Sequence, residues 1–446
     1  MPESDQLPEA DWSFPPTLRP EAPLPPTRRD RRPDGQPAAG PKRRGLGRLL
    51  AVLALVLVVL AVAVSFVAVR LGAAPPPAVV TPTVGAVVKA DPGQVAPTLP
   101  WPKTGQSAVA VPTVGINVAS GPEHAAPIAS LTKLMTAYVI LHDHPLGPAQ
   151  SGPIITVNQA DVDDFENDTV QDEANAQVAL GEQLTERQVL GGMLVHSANN
   201  FADLLATWDA GSIAAFVVRM NHTAHLLGMD HTHYADTSGF NPASQSTPSD
   251  LLRVAQPDME NPTFAAIVRM PSITLPVAGT ISSYTPLLGL DGVIGVKSGF
   301  TSVAGGCDVV AVVRQVHGEP VMILGAVTGQ EGPNVLDLAA FDALILANAM
   351  SHDIGSSQLV APGAIVAHVT AAGHTVGATV QGSVTALTWP GVRVSRLLVT
   401  TRPITSNTRA GTRIGSLEVV LGQQQFVLPV GLARRLPKES LTQRVF

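Results

Sequence analysis

The sequence predicts a mixed α/β chain of the α+β kind, in which an N-terminal membrane-spanning helix precedes a central α+β body and a small C-terminal β domain. Three observations predict it. Residues 49–69 are apolar except for Ser65, about 20 residues, enough to cross roughly 30 Å of hydrocarbon. Residues 105–352 mix short β-branched runs with stretches of helical period. After Gly355 only short β-branched runs broken by glycine remain.

Composition sets the outer limits. A chain of 446 residues accommodates two or three domains and a sizeable core. A net charge of -7, with no basic folded region to offset it, excludes nucleic acid as the main partner. The single cysteine, Cys307, excludes an intrachain disulfide and a cysteine-based zinc site. It sits in the apolar run Gly306-Cys307-Asp308-Val309-Val310, where a buried small hydrophobe is expected rather than a nucleophile.

Residues 1–48 are rich in proline and charge without an apolar period, so a disordered basic tail is expected. Arg28, Arg29, Arg31, Arg32, Lys42, Arg43, Arg44 and Arg48 crowd the near side of the 49–69 helix, while only Arg70 and Lys89 follow closely. The positive-inside rule then puts the N-terminus in the cytoplasm and the rest outside, as a single-pass protein of the cell membrane. A cleaved signal peptide ending near Gly72-Ala73-Ala74 is the competing reading; the long apolar run and long leader favour an uncleaved anchor. The prolines of residues 70–104 read as a stiff extended stalk.

The body opens with two short strands, Ala108–Val111 and Gly115–Val118, around a Pro112-Thr113 turn. A helix carrying Ser130 runs to about His142, and Ile154–Val157 reads as a strand. Asp161–Glu173 is acidic and reads as a solvated loop, without the spacing of a calcium loop. Thr185 is the expected cap of a helix that stops near Ser197-Ala198-Asn199-Asn200, before a second helix over Phe201–Trp208. Ser212–Leu227 is amphipathic and closed by Gly228. Pro248 opens a helix to about Met259. Ile294–Val296, Asp308–Val313 and Val321–Val327 read as strands, and Val335–Met350 as the last helix. Ala364–Ala367, Val392–Val399, Ile414–Leu421 and Phe426–Val430 form the β domain expected over residues 355–446.

Ser130-Leu131-Thr132-Lys133 places a hydroxyl and an amine three residues apart at the start of a helix, where the two can meet. A desolvated, neutral lysine can take the proton of a serine nucleophile. The pattern is common, and a helix start with an exposed lysine competes with it. The lysines add weight. There are six, Lys42, Lys89, Lys103, Lys133, Lys297 and Lys438, and only Lys133 and Lys297 lie between Thr104 and Pro437. A chain that otherwise carries its positive charge on arginine keeps an amine at two internal points, and only an amine can give up its proton.

Ser197-Ala198-Asn199 and Lys297-Ser298-Gly299 follow in order. With Ser130-Leu131-Thr132-Lys133, they make the chain resemble the serine D-alanyl-D-alanine carboxypeptidases, within the penicillin-binding proteins and serine β-lactamases. Gly181-Glu182-Gln183-Leu184-Thr185, Asp236-Thr237-Ser238-Gly239-Phe240 and Phe300-Thr301 extend the likeness. The resemblance implies a penicillin-binding-protein/β-lactamase-like body, an antiparallel sheet flanked by helices with an all-helical lobe, over residues 105–352. It implies a substrate too, a peptidoglycan stem peptide ending in D-Ala-D-Ala, with β-lactam antibiotics as covalent inhibitors and no cofactor. Ser130 is then the nucleophile, Lys133 its base and Ser197 the proton relay to the leaving amine. Asn199 holds the substrate amide, Lys297 and Ser298 meet the terminal carboxylate, and Gly299 lets the strand approach the substrate. The backbone N–H groups of Ser130 and Phe300 form the oxyanion hole, and Thr301 completes the binding edge.

Departures and rivals are few. Ser298 stands where threonine is usual, Asn200 follows the second motif where an acid is frequent, and Lys103-Thr104-Gly105 is a literal third-motif match in the wrong order. A class A β-lactamase needs a glutamate between the second and third motifs, where only Glu260 occurs, in an unsuitable setting. A DD-endopeptidase or transpeptidase uses the same serine. A non-catalytic wall-binding protein has no need of a nucleophile–base pair. His231-Thr232-His233 has a spacing that suits two ligands but lacks further partners, so no metal is expected.

Overall fold

The computed structural model describes residues 44–90 and 95–445. The basic tail expected over residues 1–48 therefore lies outside the described residues as far as residue 43. Helix α1, Arg44–Gly72, is apolar on every side between Arg48 and Arg70, with a mean hydropathy of 3.2 over its apolar stretch and none of that stretch buried. At 1.5 Å per residue it is long enough and apolar enough to cross a membrane.

Ala73–Phe446 folds as one unit around two sheets. The first is wholly antiparallel, with strands β1 (Gln106–Val111), β2 (Ile116–Ala119), β3 (Val293–Thr301), β4 (Gly305–Val316) and β5 (Glu319–Gln330). Their spatial order is β3-β4-β5-β1-β2. Side chains alternate across β4: Cys307, Val309 and Ala311 join the core under the helical lobe, whereas Val310 and Val312 join the core on the other face. Both faces are covered, so β4 and β5 are continuous apolar runs.

The lobe on the first face consists of α2 (Thr132–Asp143), α3 (Gln159–Val170), α4 (Glu186–Val195), α5 (Asn199–Ala210), α6 (Ile213–Leu226), α7 (Pro248–Glu260) and α8 (Pro262–Val268). Helix α9, Val335–Asp353, covers the second face. It too is long enough and apolar enough to cross a membrane, by length and composition alone, with a mean hydropathy of 1.3. Its Ala339, Ala340, Ala343 and Ala347 are nonetheless fully buried, because small residues let it lie flat on β4 and β5. The fold is thus an α+β body, an antiparallel sheet flanked by helices with a helical lobe, followed by a C-terminal β-rich region, as the resemblance implied.

Two expectations are corrected. Asp161–Glu173 is not a solvated loop. Gln159–Val170 is helical because Asn158 Oδ1 accepts from Asp161 N at 3.4 Å while Asp161 accepts from Asn158 N at 2.7 Å, a capping box. Val162 and Phe165, three apart, pack on the core and hold the helix against its acidic face.

Residues 70–104 are not a free stalk. Val79–Pro82 pairs with Ile365–Ala371, and Val87–Lys89 with Arg393–Thr400. They form the two edges of a seven-stranded sheet whose inner strands include His374–Val380, Gln424–Leu432 and Arg413–Leu421. Val80, Val84 and Val88 pack on its core, and the sheet gains cover for both edges. The region after residue 355 thus shares its sheet with a segment nearly 300 residues earlier.

Pro262–Val268 is a further helix, capped by Asn261 accepting from Thr263 N at 2.9 Å, and Ser272–Leu275 pairs with Gly279–Ser282. Neither element was evident in the sequence pattern.

Candidate active site

Ser130 does not sit on a regular α-helix. It is the middle residue of a 3₁₀ turn, Ala129–Leu131, that feeds α2. Ala129 takes φ 47°, a left-handed value rare outside glycine. Two neighbours press the turn from opposite sides. On strand β3, a Cβ at Gly299 would lie 2.8 Å from Ser130 N, so only glycine lets the strand approach. On the other side, a Cβ at Gly239 would fall 1.8 Å from Ala129 O.

Lys133, one turn along and fully buried, has its Nζ 2.9 Å from Ser130 Oγ. The same nitrogen donates to Asn199 Oδ1 and to Ser238 O, the latter at 3.1 Å. In the neutral amine these two acceptors take both N–H groups, which leaves the lone pair for the Ser130 hydroxyl. Burial lowers the Lys133 pKa to about 8, against the pull of Asp236, Asp203, Asp168 and Glu173. The loop that offers Ser238 O is built by Asp236, which accepts from Gly239 N and Asn241 N, each at 3.0 Å.

Ser197 lies at the end of α4, buried and at φ 62°. Left-handed backbone in a non-glycine residue is a strain that surrounding structure must impose, and it clusters at functional sites. Asn199 opens α5 with both ends of its amide engaged: Oδ1 by Lys133, one Nδ2 hydrogen by Glu173. Its second Nδ2 hydrogen takes part in neither bond. Asn200 explains itself locally. Its side chain donates to Ala176 O at 2.9 Å and accepts from Ala176 N at 3.1 Å, fastening the segment before α4.

Lys297 lies on β3, facing the lobe beside Lys133, and donates to Ser298 O at 2.8 Å. Burial and the Lys133 charge lower its pKa to about 7, and Asp308 pulls the other way. Ser298 donates to Tyr284 O at 2.8 Å, keeping its lone pairs for another donor. Phe300 is half exposed at the cleft, and Thr301 Oγ1 accepts from Ala304 N at 3.0 Å to close the β3–β4 turn. Ser130, Glu173, Ser197, Tyr284, Ser298 and Phe300 share a cleft of about 340 Å³. A second space of about 320 Å³, reached by Ser130, Asn199, Phe240 and Thr301, adjoins it.

Three contributors were not legible in the sequence: the Ser238 carbonyl, Glu173 and Asp308. The Asp308 carboxyl is buried across the strand from Ser298, with no hydrogen-bond partner among the described residues, and burial raises its pKa well above the usual range. Lys103-Thr104-Gly105 plays no part in the cleft; Thr104 O accepts from Gln330 Nε2 at 2.7 Å at the start of β1. Among the described residues no group of three or more histidines, cysteines and carboxylates converges as metal ligands. The Cys307 thiol is buried and pushed up to about 12 by that burial.

The chain matches the family model described as D-alanyl-D-alanine carboxypeptidase over residues 106–327. A D-alanyl-D-alanine carboxypeptidase of a Streptomyces species is 31% identical over 208 residues, 42% of this chain and 67% of that relative. Another, of Mycobacterium tuberculosis, is 31% identical over 222 residues, 48% of this chain and 72% of its own length. The chain belongs to this family of serine peptidases. All three motifs lie inside the segment matched to the D-alanyl-D-alanine carboxypeptidases. Among solved structures, penicillin binding protein 6B of Escherichia coli superposes with a TM-score of 0.56 over 77% of this chain and 98% of its own, at 21% identity. That likeness speaks to the fold.

Proposed function

We propose that the protein removes the terminal D-Ala from peptidoglycan stem peptides by acyl transfer through Ser130, outside the membrane to which α1 anchors it. The observation that carries this reading is the 2.9 Å approach of Lys133 Nζ to Ser130 Oγ, with the other Lys133 N–H groups held by Asn199 and Ser238. Ser130 Oγ attacks the carbonyl of the penultimate D-Ala as Lys133 takes its proton. The Ser130 and Phe300 N–H groups receive the charge that develops on the carbonyl oxygen. Lys133 returns that proton through the Ser197 hydroxyl to the leaving amine, the C–N bond breaks and D-Ala departs. Water then cleaves the Ser130 ester, returning the serine and releasing the shortened peptide. The Ser298 hydroxyl, which lines the cleft, turns its proton from Tyr284 O to the terminal carboxylate when substrate binds. Lys297, buried behind it, donates to Ser298 O and steadies the strand that carries that hydroxyl.

The same serine serves a β-lactamase, an endopeptidase or a transpeptidase, so the products decide. Incubated with a pentapeptide ending in D-Ala-D-Ala, the protein is expected to release D-Ala and to turn over benzylpenicillin slowly. Rapid penicillin turnover without D-Ala release contradicts this reading and favours a β-lactamase. Cleavage confined to cross-linked dimers makes the protein an endopeptidase instead.

A further inference from the structure

Glu173 lies in a stretch whose sequence suggests only solvation, yet it reaches the centre of the site. Its Oε2 accepts from Asn199 Nδ2, while Asn199 Oδ1 accepts from Lys133 Nζ. An asparagine amide has nearly the same shape in its two orientations, and only its polar neighbours choose between them. Glu173 when ionised can only accept. Flipping Asn199 would set its oxygen against that carboxylate and its NH₂ against the lysine nitrogen. Lys133 would then turn its lone pair toward some other donor and away from Ser130.

We propose that Glu173 is a positioning residue for acyl transfer: it locks the Asn199 amide so that Oδ1 faces Lys133 and the Lys133 lone pair stays on Ser130. This rests on the reading of Ser130 as the nucleophile. The segment bearing Glu173 is built for the task. Glu173 N donates to Asp168 O at 2.9 Å and Asn199 N donates to Ala174 O at 2.7 Å. The Asn200 side chain closes a pair of hydrogen bonds with the Ala176 backbone. The first turn of α5 therefore carries Asn199 and also holds the strap that brings Glu173 to it.

Charge gives a second, separable signature. Lys133 faces Glu173, Asp236, Asp203 and Asp168, with the Lys297 amine opposing them. The base form of Lys133 appears as pH rises through about 8. Removing one of the four carboxylates weakens its hold on the proton, so the rising limb moves to lower pH.

The test is the rate of Ser130 acylation by a fluorescent penicillin across the neutral to alkaline range, on the full chain in detergent. Glu173→Ala is expected to slow acylation at least about tenfold, because the base is no longer aligned. Glu173→Gln, which still accepts through Oε1, is expected to recover at least about threefold over Glu173→Ala. In both variants the rising limb should move to lower pH. A Glu173→Ala protein that acylates at the wild-type rate sinks the proposal. So does one slowed without any change in the limb and no better as Gln, which marks Glu173 as loop scaffolding. Wild-type protein that takes no label at all refutes the acyl-transfer reading itself, and that result differs from either of these.

Discussion

Lys133→Arg is expected to lower the rate of Ser130 acylation by about 10³-fold, measured as time-resolved labelling with a fluorescent penicillin. The substitution preserves charge and most of the volume, so it isolates the proton transfer. A guanidinium cannot be deprotonated in a protein. It would stay charged under the pull of Asp236, Asp203, Asp168 and Glu173, with no lone pair for the Ser130 hydroxyl. Lys297→Arg is the informative companion. Lys297 acts through its bond to Ser298 O and takes no proton from the nucleophile, so an arginine there should leave substantial labelling. Equal rates for Lys133→Arg and wild type would remove Lys133 from the mechanism.

Gly239→Ala is expected to damage fold and site together. Gly239 has φ 87°, in the region that costs an L-residue roughly 1–2 kcal/mol. Its added Cβ would fall 1.8 Å from Ala129 O and 2.5 Å from Thr132 Oγ1. The turn holding Ser130 must move, and a displacement of that order costs about 10²-fold in rate. Thermal unfolding should report a loss of about 2–4 kcal/mol in the same variant. Gly181→Ala separates the two causes: φ is 79° there too, but nothing lies within 4 Å of the added carbon. It should cost about 1 kcal/mol and leave acylation intact. Comparable acylation loss at both glycines would mean that pressure on the Ser130 turn is not what matters.

What was legible in the sequence follows the range of the interaction. Ser130 and Lys133 meet because one helical turn fixes their separation, and the spacing alone implies it. Bringing Asn199 and Lys297 to the same place takes α5 and β3, and their motif order anticipates this without giving the geometry. The Ser238 carbonyl could not be read, since a backbone oxygen has no residue signature; only the Asp236-organised loop reveals it. Glu173 was obscured by neighbouring acids, and its role depends on straps from Asn199 and Asn200 a full helix later. The proline content of residues 70–104 spoke for a stalk, while the four-residue spacing of Val80, Val84 and Val88 was too sparse to announce strands. Their partners, Ile365–Ala371 and Arg393–Thr400, lie nearly 300 residues away. Helix α3 stayed hidden for a related reason: five acidic residues outweighed the Val162 and Phe165 pair that docks it.

The central claim is that Ser130 forms a covalent acyl-enzyme. The direct measurement is peptide mapping by mass spectrometry after brief exposure of the full chain to benzylpenicillin. One penicilloyl group is expected per protein, on the peptide containing Ser130, and none in folded Ser130→Ala. An adduct on any other residue, or an undiminished adduct in Ser130→Ala, contradicts the account.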